Sequence, residues 1–394
     1  MLSLPSSEDA ARDRQDMTIA SRFDPEPSGL TVRDADIEHI LTSAADAFER
    51  LAGTDLLITG GAGFLGYYLT QAALSYGDRD PSNPIRVTVF DSFIRGIPDW
   101  LEALRDHPRL TLRAQDLRDP LPADMPDFDH VIHAAGIASP TYYRRHPIET
   151  MDANIVGLRT LLDHVVAQGD RGRPVRGFLF FSSSEIYGDP PASEIPTSES
   201  YRGFVSCTGP RACYDESKRY GETLCVTFAQ VHGLPIMMAR PFNNYGPGMK
   251  ITDGRVIADF ARDILAGRDI TLLSDGSPMR TFCYAADAVA GYFKTLALGR
   301  PGEPYNIGVE GPEISMSDLA RAMTDAGRAL FGYNGSIIGG RSPEEVYLVD
   351  NPLRRRPNID KAREELGYAP TISLEDGLRR TLLWYQDNQG GDQR

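Results

Sequence analysis

The chain has 394 residues, a formal net charge of −14, and 41% hydrophobic against 24% charged residues. That balance is ordinary for a globular protein, and the length allows two or three domains or one large interleaved α/β unit. The acidity argues against a general nucleic-acid or anionic-membrane binder, while leaving room for a local basic pocket that takes one anionic ligand.

Residues 1–50 read as an N-terminal extension, polar and disordered at first. From Asp34 to Leu51 the residues Ile37, Ile40, Leu41, Ala44, Phe48 and Leu51 recur at helical spacing, predicting one helix that packs on the body or, as the lesser alternative, on a partner subunit. From Asp55 the pattern becomes strand, Gly-rich turn, helix, strand. Strands are predicted at 56–59, 86–90, 110–114, 130–133, 177–182 and 235–239, with helices at 64–76, 147–168 and 211–232. Short apolar strands alternating with longer helices predict a doubly wound parallel sheet of Rossmann type over residues 51–241. After Arg240 the character changes to helices at 254–267, 285–298 and 315–331 between loops rich in Gly, Pro and Arg. Residues 242–394 therefore read as a smaller, interleaved substrate-binding domain, with a strand near 304–308 returning to the sheet. No apolar run approaches transmembrane length and no signal-peptide pattern opens the chain. Cys207, Cys213, Cys225 and Cys283 lack metal-ligand spacing and read as reduced thiols of a cytoplasmic protein, with no metal expected.

The motif Gly60-Gly-Ala-Gly63-Phe64-Leu65-Gly66 follows a strand and opens a helix. In that context small residues let the backbone approach a pyrophosphate, which rests on the helix N-terminus. Asp91 ends the second strand, where a carboxylate meets ribose hydroxyls and repels a 2′-phosphate; NAD is expected over NADP, with Arg95 pulling the other way. Asp116 and Leu117, after the third strand, are placed to meet the adenine ring or to form a solvated turn. Tyr214 and Lys218 are four apart and share a helix face. There an ammonium can lower the tyrosine pKa and equip it to take a proton from an alcohol as a nicotinamide accepts the hydride.

With Ser182-Ser-Ser-Glu-Ile-Tyr-Gly188, Gly209-Pro-Arg-Ala-Cys-Tyr-Asp-Glu216, Arg240-Pro-Phe-Asn-Asn-Tyr-Gly-Pro247 and Arg354-Arg-Arg-Pro357 added, residues 54–386 resemble the extended short-chain dehydrogenase/reductases that act on nucleotide sugars. Within them the chain looks most like the UDP-glucuronate decarboxylases. The resemblance implies Tyr214 as the base at the sugar 4-hydroxyl, Lys218 as its partner and a holder of the nicotinamide ribose, and Ser183 sharing the hydrogen bond to the reacting oxygen. It implies Glu185 and Arg355 for the loss of CO2, and Ser184, Asn243, Tyr245, Arg255 and Arg280 for the nucleotide sugar. Related 4,6-dehydratases carry Asp-Glu where this chain has Ser184-Glu185, so the acid for a departing 6-hydroxyl is missing. Simple 4-epimerases generally lack the Glu. The expected reaction is decarboxylation of UDP-glucuronate or a relative by C4 oxidation, CO2 loss and re-reduction on bound NAD. A 4-epimerase and a non-catalytic dinucleotide sensor are the alternatives. A homodimer paired through the helix at 211–232 is implied by the family. One departure is Asp152, where decarboxylases of this group carry a lysine; an acid there is unfavourable if it faces an anionic substrate.

Overall fold

The computed structural model describes residues 29–342 and 349–388. Seven strands form the main sheet of the described residues: β1 Asp55–Thr59, β2 Arg86–Asp91, β3 Leu110–Ala114, β4 His130–His133, β5 Gly177–Phe181, β6 Ile236–Pro241 and β7 Pro304–Ile307. Their order is β3-β2-β1-β4-β5-β6-β7, and every neighbouring pair is parallel. The order reverses between β1 and β4, which opens a crevice at the carboxyl ends of those strands.

Alternation along the strands builds two cores. Leu56, Ile58, Val87, Val89, Leu179 and Phe181 face one side, with the helices Gly66–Arg79 and Ala285–Leu298. Leu57, Phe90, Val131, Phe178, Phe180 and Ile236 face the other, with the helices Pro147–Asp170 and Ala212–His232. Both faces are covered, so the strands are apolar nearly throughout. Strand β7, at the position of the returning strand, pairs with β6. The helix Ala285–Leu298 also packs on β5, β6 and β7, so the later part of the chain both completes the sheet and builds the second lobe.

In that lobe a small sheet sets the strand Arg354–Arg355 parallel to Met279–Arg280, with Arg355 opposite Arg280. The N-terminal extension packs on the body, as expected, but as two helices, Gly29–Ser43 and Ala45–Leu51, broken at Ala44. The break lets Phe48 pack against Tyr76 and Phe293 while Asp36 turns inward. Fully buried, Asp36 accepts from the hydroxyls of Tyr68 and Tyr284 and from Arg380 on the last helix, Leu374–Asp387. Positions 1–28, most of the stretch expected to be disordered, lie outside the described residues, as do 389–394.

Candidate active site

A cleft of about 1280 Å³ lies along the carboxyl ends of β1, β2, β4 and β5 and runs under the second lobe. One drug-sized ligand fills roughly 300–1,000 Å³, so there is room for a dinucleotide and a second ligand. Every site residue singled out in the sequence lines it: Gly60, Gly63, Phe64, Leu65, Gly66, Asp91, Asp116, Leu117, Ser183, Ser184, Glu185, Tyr214, Lys218, Asn243, Tyr245, Arg255, Arg280 and Arg355.

The glycine loop fits a dinucleotide. Gly60 has φ +74°, and a Cβ there would stand 2.7 Å from the Ala135 backbone; a Cβ on Gly66 would stand 2.2 Å from the Gly61 carbonyl oxygen. The loop is thus packed too closely for side chains. The helix starting at Gly66 has no side-chain cap, so its N-terminus is open to an anion. At the end of β2, Asp91 accepts from the amides of Ala62 (3.1 Å) and Phe93 (2.9 Å), which fixes its carboxylate beside the loop. Arg95 does not reach it: its guanidinium lies 4.9 Å over the Tyr142 ring and 3.9 Å from Asp253. Asp116 and Leu117 are partly spoken for. The Asp116 carboxylate is paired with Arg118 at 2.6 Å, and the Leu117 side chain joins the core, where it would meet a Cβ on Gly157 at 3.0 Å.

Ser183 follows β5; its hydroxyl accepts from the Glu185 amide at 3.2 Å and lies close enough to the buried Tyr214 phenol to favour its ionised form. Tyr214 stacks on Tyr143 at 5.1 Å and 11°. The Lys218 ammonium donates to the Phe181 carbonyl at 2.8 Å and sits 5.9 Å from the Tyr214 ring centre. Burial pushes Tyr214 up to about 12, with Ser183 opposing, and pulls Lys218 down to about 8. At this distance, with its charge spent on a carbonyl, the ammonium does not offset desolvation.

Glu185 stands on the 3-10 turn Ser184–Tyr187. Its two oxygens accept from Arg355 Nη1 (2.6 Å) and Nη2 (2.5 Å), and one of them also accepts from Arg211 Nη2 (2.5 Å). The side chains are 17%, 10% and 7% exposed in the order Glu185, Arg355, Arg211, so this is a buried cluster and not a surface pair. Burial alone would raise the Glu185 pKa; Arg211 and Arg355 outweigh it and hold the carboxylate ionised. Asp215 is the opposite case. One turn from Arg211 and 3.8 Å from its Nε, with Oδ1 unpartnered, it is pushed up to about 8 by burial and then by Glu185.

Arg280 donates only to neutral oxygens, the carbonyls of Met279, Leu353 and Pro352 and the Asn351 amide. Burial and the neighbouring Arg355 pull its pKa down to about 9. A buried guanidinium without a carboxylate is a strong anion acceptor. Arg255 is less available, with its Nε 3.2 Å from Asp253. Asn243, at φ +44°, donates to the Thr281 carbonyl. Tyr245 borders the cleft but its hydroxyl donates to the Leu374 carbonyl, and Tyr284 and Phe282 pack on its ring; its phenol belongs to the core.

The model of the NAD dependent epimerase/dehydratase family matches residues 56–308. The chain belongs to that family. Among similar family members is UDP-glucuronic acid decarboxylase 6 of Arabidopsis thaliana, 36% identical over 82% of this chain and 86% of the relative. UDP-glucuronic acid decarboxylase 1 of Danio rerio is 33% identical over 94% of this chain and 82% of its own length. Among solved structures, a dTDP-glucose 4,6-dehydratase from Streptomyces venezuelae with NAD bound superposes with a TM-score of 0.72 at 28% identity, covering 85% of this chain and 98% of the dehydratase.

Two points then concern this chain against its family. Asp152 is exposed on the helix Pro147–Asp170 and lies outside the cleft lining, within electrostatic reach of Arg118, so it does not oppose an anionic substrate. Arg211 is the residue the sequence reading missed. It was visible as an arginine three residues before Tyr214, on the same helix face, but the partner that gives it meaning, Glu185, is 26 residues away.

Proposed function

We propose that the chain is an NAD-dependent UDP-glucuronate decarboxylase that forms UDP-xylose. The observation that carries this is Glu185 buried between Arg211 and Arg355 beside Ser183 and Tyr214, with a serine and not an acid at position 184. Bound NAD supplies a hydride acceptor and returns the hydride at the end, so none is consumed. The residues do the rest. Tyr214, beside Ser183, acts as a phenolate that Lys218 supports; it takes the proton of the sugar 4-hydroxyl and becomes the phenol. The C4 ketone is β to the C6 carboxylate. The C5–C6 bond breaks, CO2 departs, and the electron pair delocalises into the ketone as an enolate, which is then protonated at C5. Arg355 orients the carboxylate, and Glu185 orders the ring or a water for the proton movement at C5. Four buried cations line the cleft, Lys218, Arg211, Arg280 and Arg355, against two carboxylates close to them in the lining, Glu185 and Asp253, with Asp215 behind. That surplus suits a substrate bearing a diphosphate and a carboxylate.

The enzyme works as a homodimer paired through the helices Pro147–Asp170 and Ala212–His232, supported by the exposed Ile148, Val156, Tyr220 and Val231 on them. The cytoplasm is its compartment, supported by four unpaired cysteines; among the described residues no helix is long and apolar enough to cross a membrane. The test is incubation of NAD-loaded protein with UDP-glucuronate. CO2 and a UDP-pentose in equal amounts, with NAD unchanged, are expected. A C4 epimer without CO2 would assign the chain to the epimerases instead.

A further inference from the structure

Behind the reacting groups lies a second layer of polar side chains. Glu222 is one turn beyond Lys218 on the helix Ala212–His232 and shares its face. Its carboxylate accepts from Arg240 Nε (2.8 Å) and Nη2 (2.6 Å) and from the Ser182 hydroxyl (2.5 Å). Arg240, near the end of β6, uses its remaining Nη1 on the Tyr187 hydroxyl at 2.7 Å, and that hydroxyl donates to Asn306 of β7 at 2.7 Å. Arg240 and Glu222 side chains are only 8% and 13% exposed.

Each member touches a different element of the site. Ser182 precedes Ser183 at the end of β5, Tyr187 closes the turn that carries Glu185, and Glu222 belongs to the helix that carries Tyr214 and Lys218. A buried ion pair is a poor way to add stability, because apolar residues of similar volume do as well or better. What an apolar pair lacks is direction. The fork of Arg240 meets Glu222 in one geometry, which sets the catalytic helix along its axis relative to β5 and the turn.

We propose that Glu222 and Arg240 are positioning residues, whose bidentate pair holds Tyr214, Ser183 and Glu185 in mutual register for decarboxylation. This rests on the function proposed above. Displacement of a reacting group by about 1 Å costs on the order of 10²-fold in rate, so losing the pair slows turnover without weakening substrate binding.

The test compares wild type, Glu222→Gln, Arg240→Lys and the double variant Glu222→Met/Arg240→Met, all loaded with NAD. The single variants leave a buried charge poorly matched, so their melting temperature and kcat both fall. In the double variant the melting temperature returns close to wild type, whereas kcat for CO2 release stays about 10²-fold down with KM within about twofold. A purely structural pair predicts otherwise: kcat recovers with the melting temperature, and that result overturns the proposal. If the double variant does not fold, Arg240→Lys decides. It keeps the charge but loses the fork, and wild-type kcat in that variant overturns the proposal as well. If the wild type releases no CO2 from UDP-glucuronate, the functional reading is what fails. Register is then read from the crystal structure of the double variant, where an unmoved Ser183–Tyr214 pair overturns the positioning role.

Discussion

Replacing Glu185 by Gln separates the later chemistry from the redox step, and the geometry fixes the size of the effect. The carboxylate receives three charge-assisted hydrogen bonds from Arg355 and Arg211, all shielded from water. Gln keeps the shape but has one acceptor oxygen, and its NH2 faces a guanidinium. Breaking a buried pair in this way costs about 3–5 kcal/mol, with an isosteric amide at the low end. Spread over 394 residues at about 2.1 cal/mol/K each, the unfolding entropy is about 0.8 kcal/mol/K, so a loss of about 3 kcal/mol lowers the melting temperature by about 4 °C. The variant should bind UDP-glucuronate and reduce bound NAD in a single turnover, yet release CO2 at least about 10²-fold more slowly. Scanning fluorimetry, nicotinamide absorbance and trapped CO2 measure the three quantities. The wild-type advantage in stability also has a pH signature. A depressed carboxylate pKa contributes stability above its unfolded value, and the contribution is lost as pH falls through the folded one. The two proteins should therefore converge in melting temperature in acid, below the ordinary Glu range. Full CO2 release with an unchanged melting temperature would refute both the buried-cluster energetics and the role of Glu185.

Tyr214→Phe should keep the fold and NAD binding while losing about 10²–10⁴-fold in oxidation at C4, read as the rate of nicotinamide reduction by the sugar. Binding of NADP(H) should be weaker than that of NAD(H), because Asp91 is fixed by two amides next to the glycine loop and Arg95 points elsewhere; equal affinities in a titration would contradict this. For Asp215, whose pKa is raised to about 8, the folded chain holds a proton that the unfolded chain releases near pH 4. Wild-type stability should accordingly fall as pH rises from about 4 to about 8, and Asp215→Asn should lack that slope in thermal melts across the range.

Much of the fold was legible because its signals are local. The strands at 110–114 and 130–133 carry their apolar residues at Leu110 and Leu112 and at Val131 and Ile132, and the structure reproduces those limits. The glycine loop, Asp91 and the Tyr214–Lys218 spacing likewise depend on a few adjacent residues and one turn of helix. What escaped depends on tertiary pairing. The break at Ala44 has no marker in the sequence, and Arg211 acquires its role from a carboxylate on another element. Tyr245 sits in a segment typical of the family, yet its hydroxyl is drawn to Leu374, 129 residues on, a partner that no local pattern announces. The resting pKa of Tyr214 depends on burial, which spacing alone does not report.

The inward turn of Asp36 joins segments that lie far apart along the chain. Its three donors come from the cofactor helix, from Tyr284 and from Arg380, 344 residues later. The amide of Gly29 similarly donates to Asp387, 358 residues on. The helices Gly29–Ser43 and Leu374–Asp387 thus hold each other in place across most of the chain. Without Arg380, Asp36 would lack its counter-charge, and a carboxylate in that apolar setting would be expelled toward water. The nucleotide-binding half, whose six leading strands end by residue 241, is therefore tied through Asp36 to a helix that begins at Leu374.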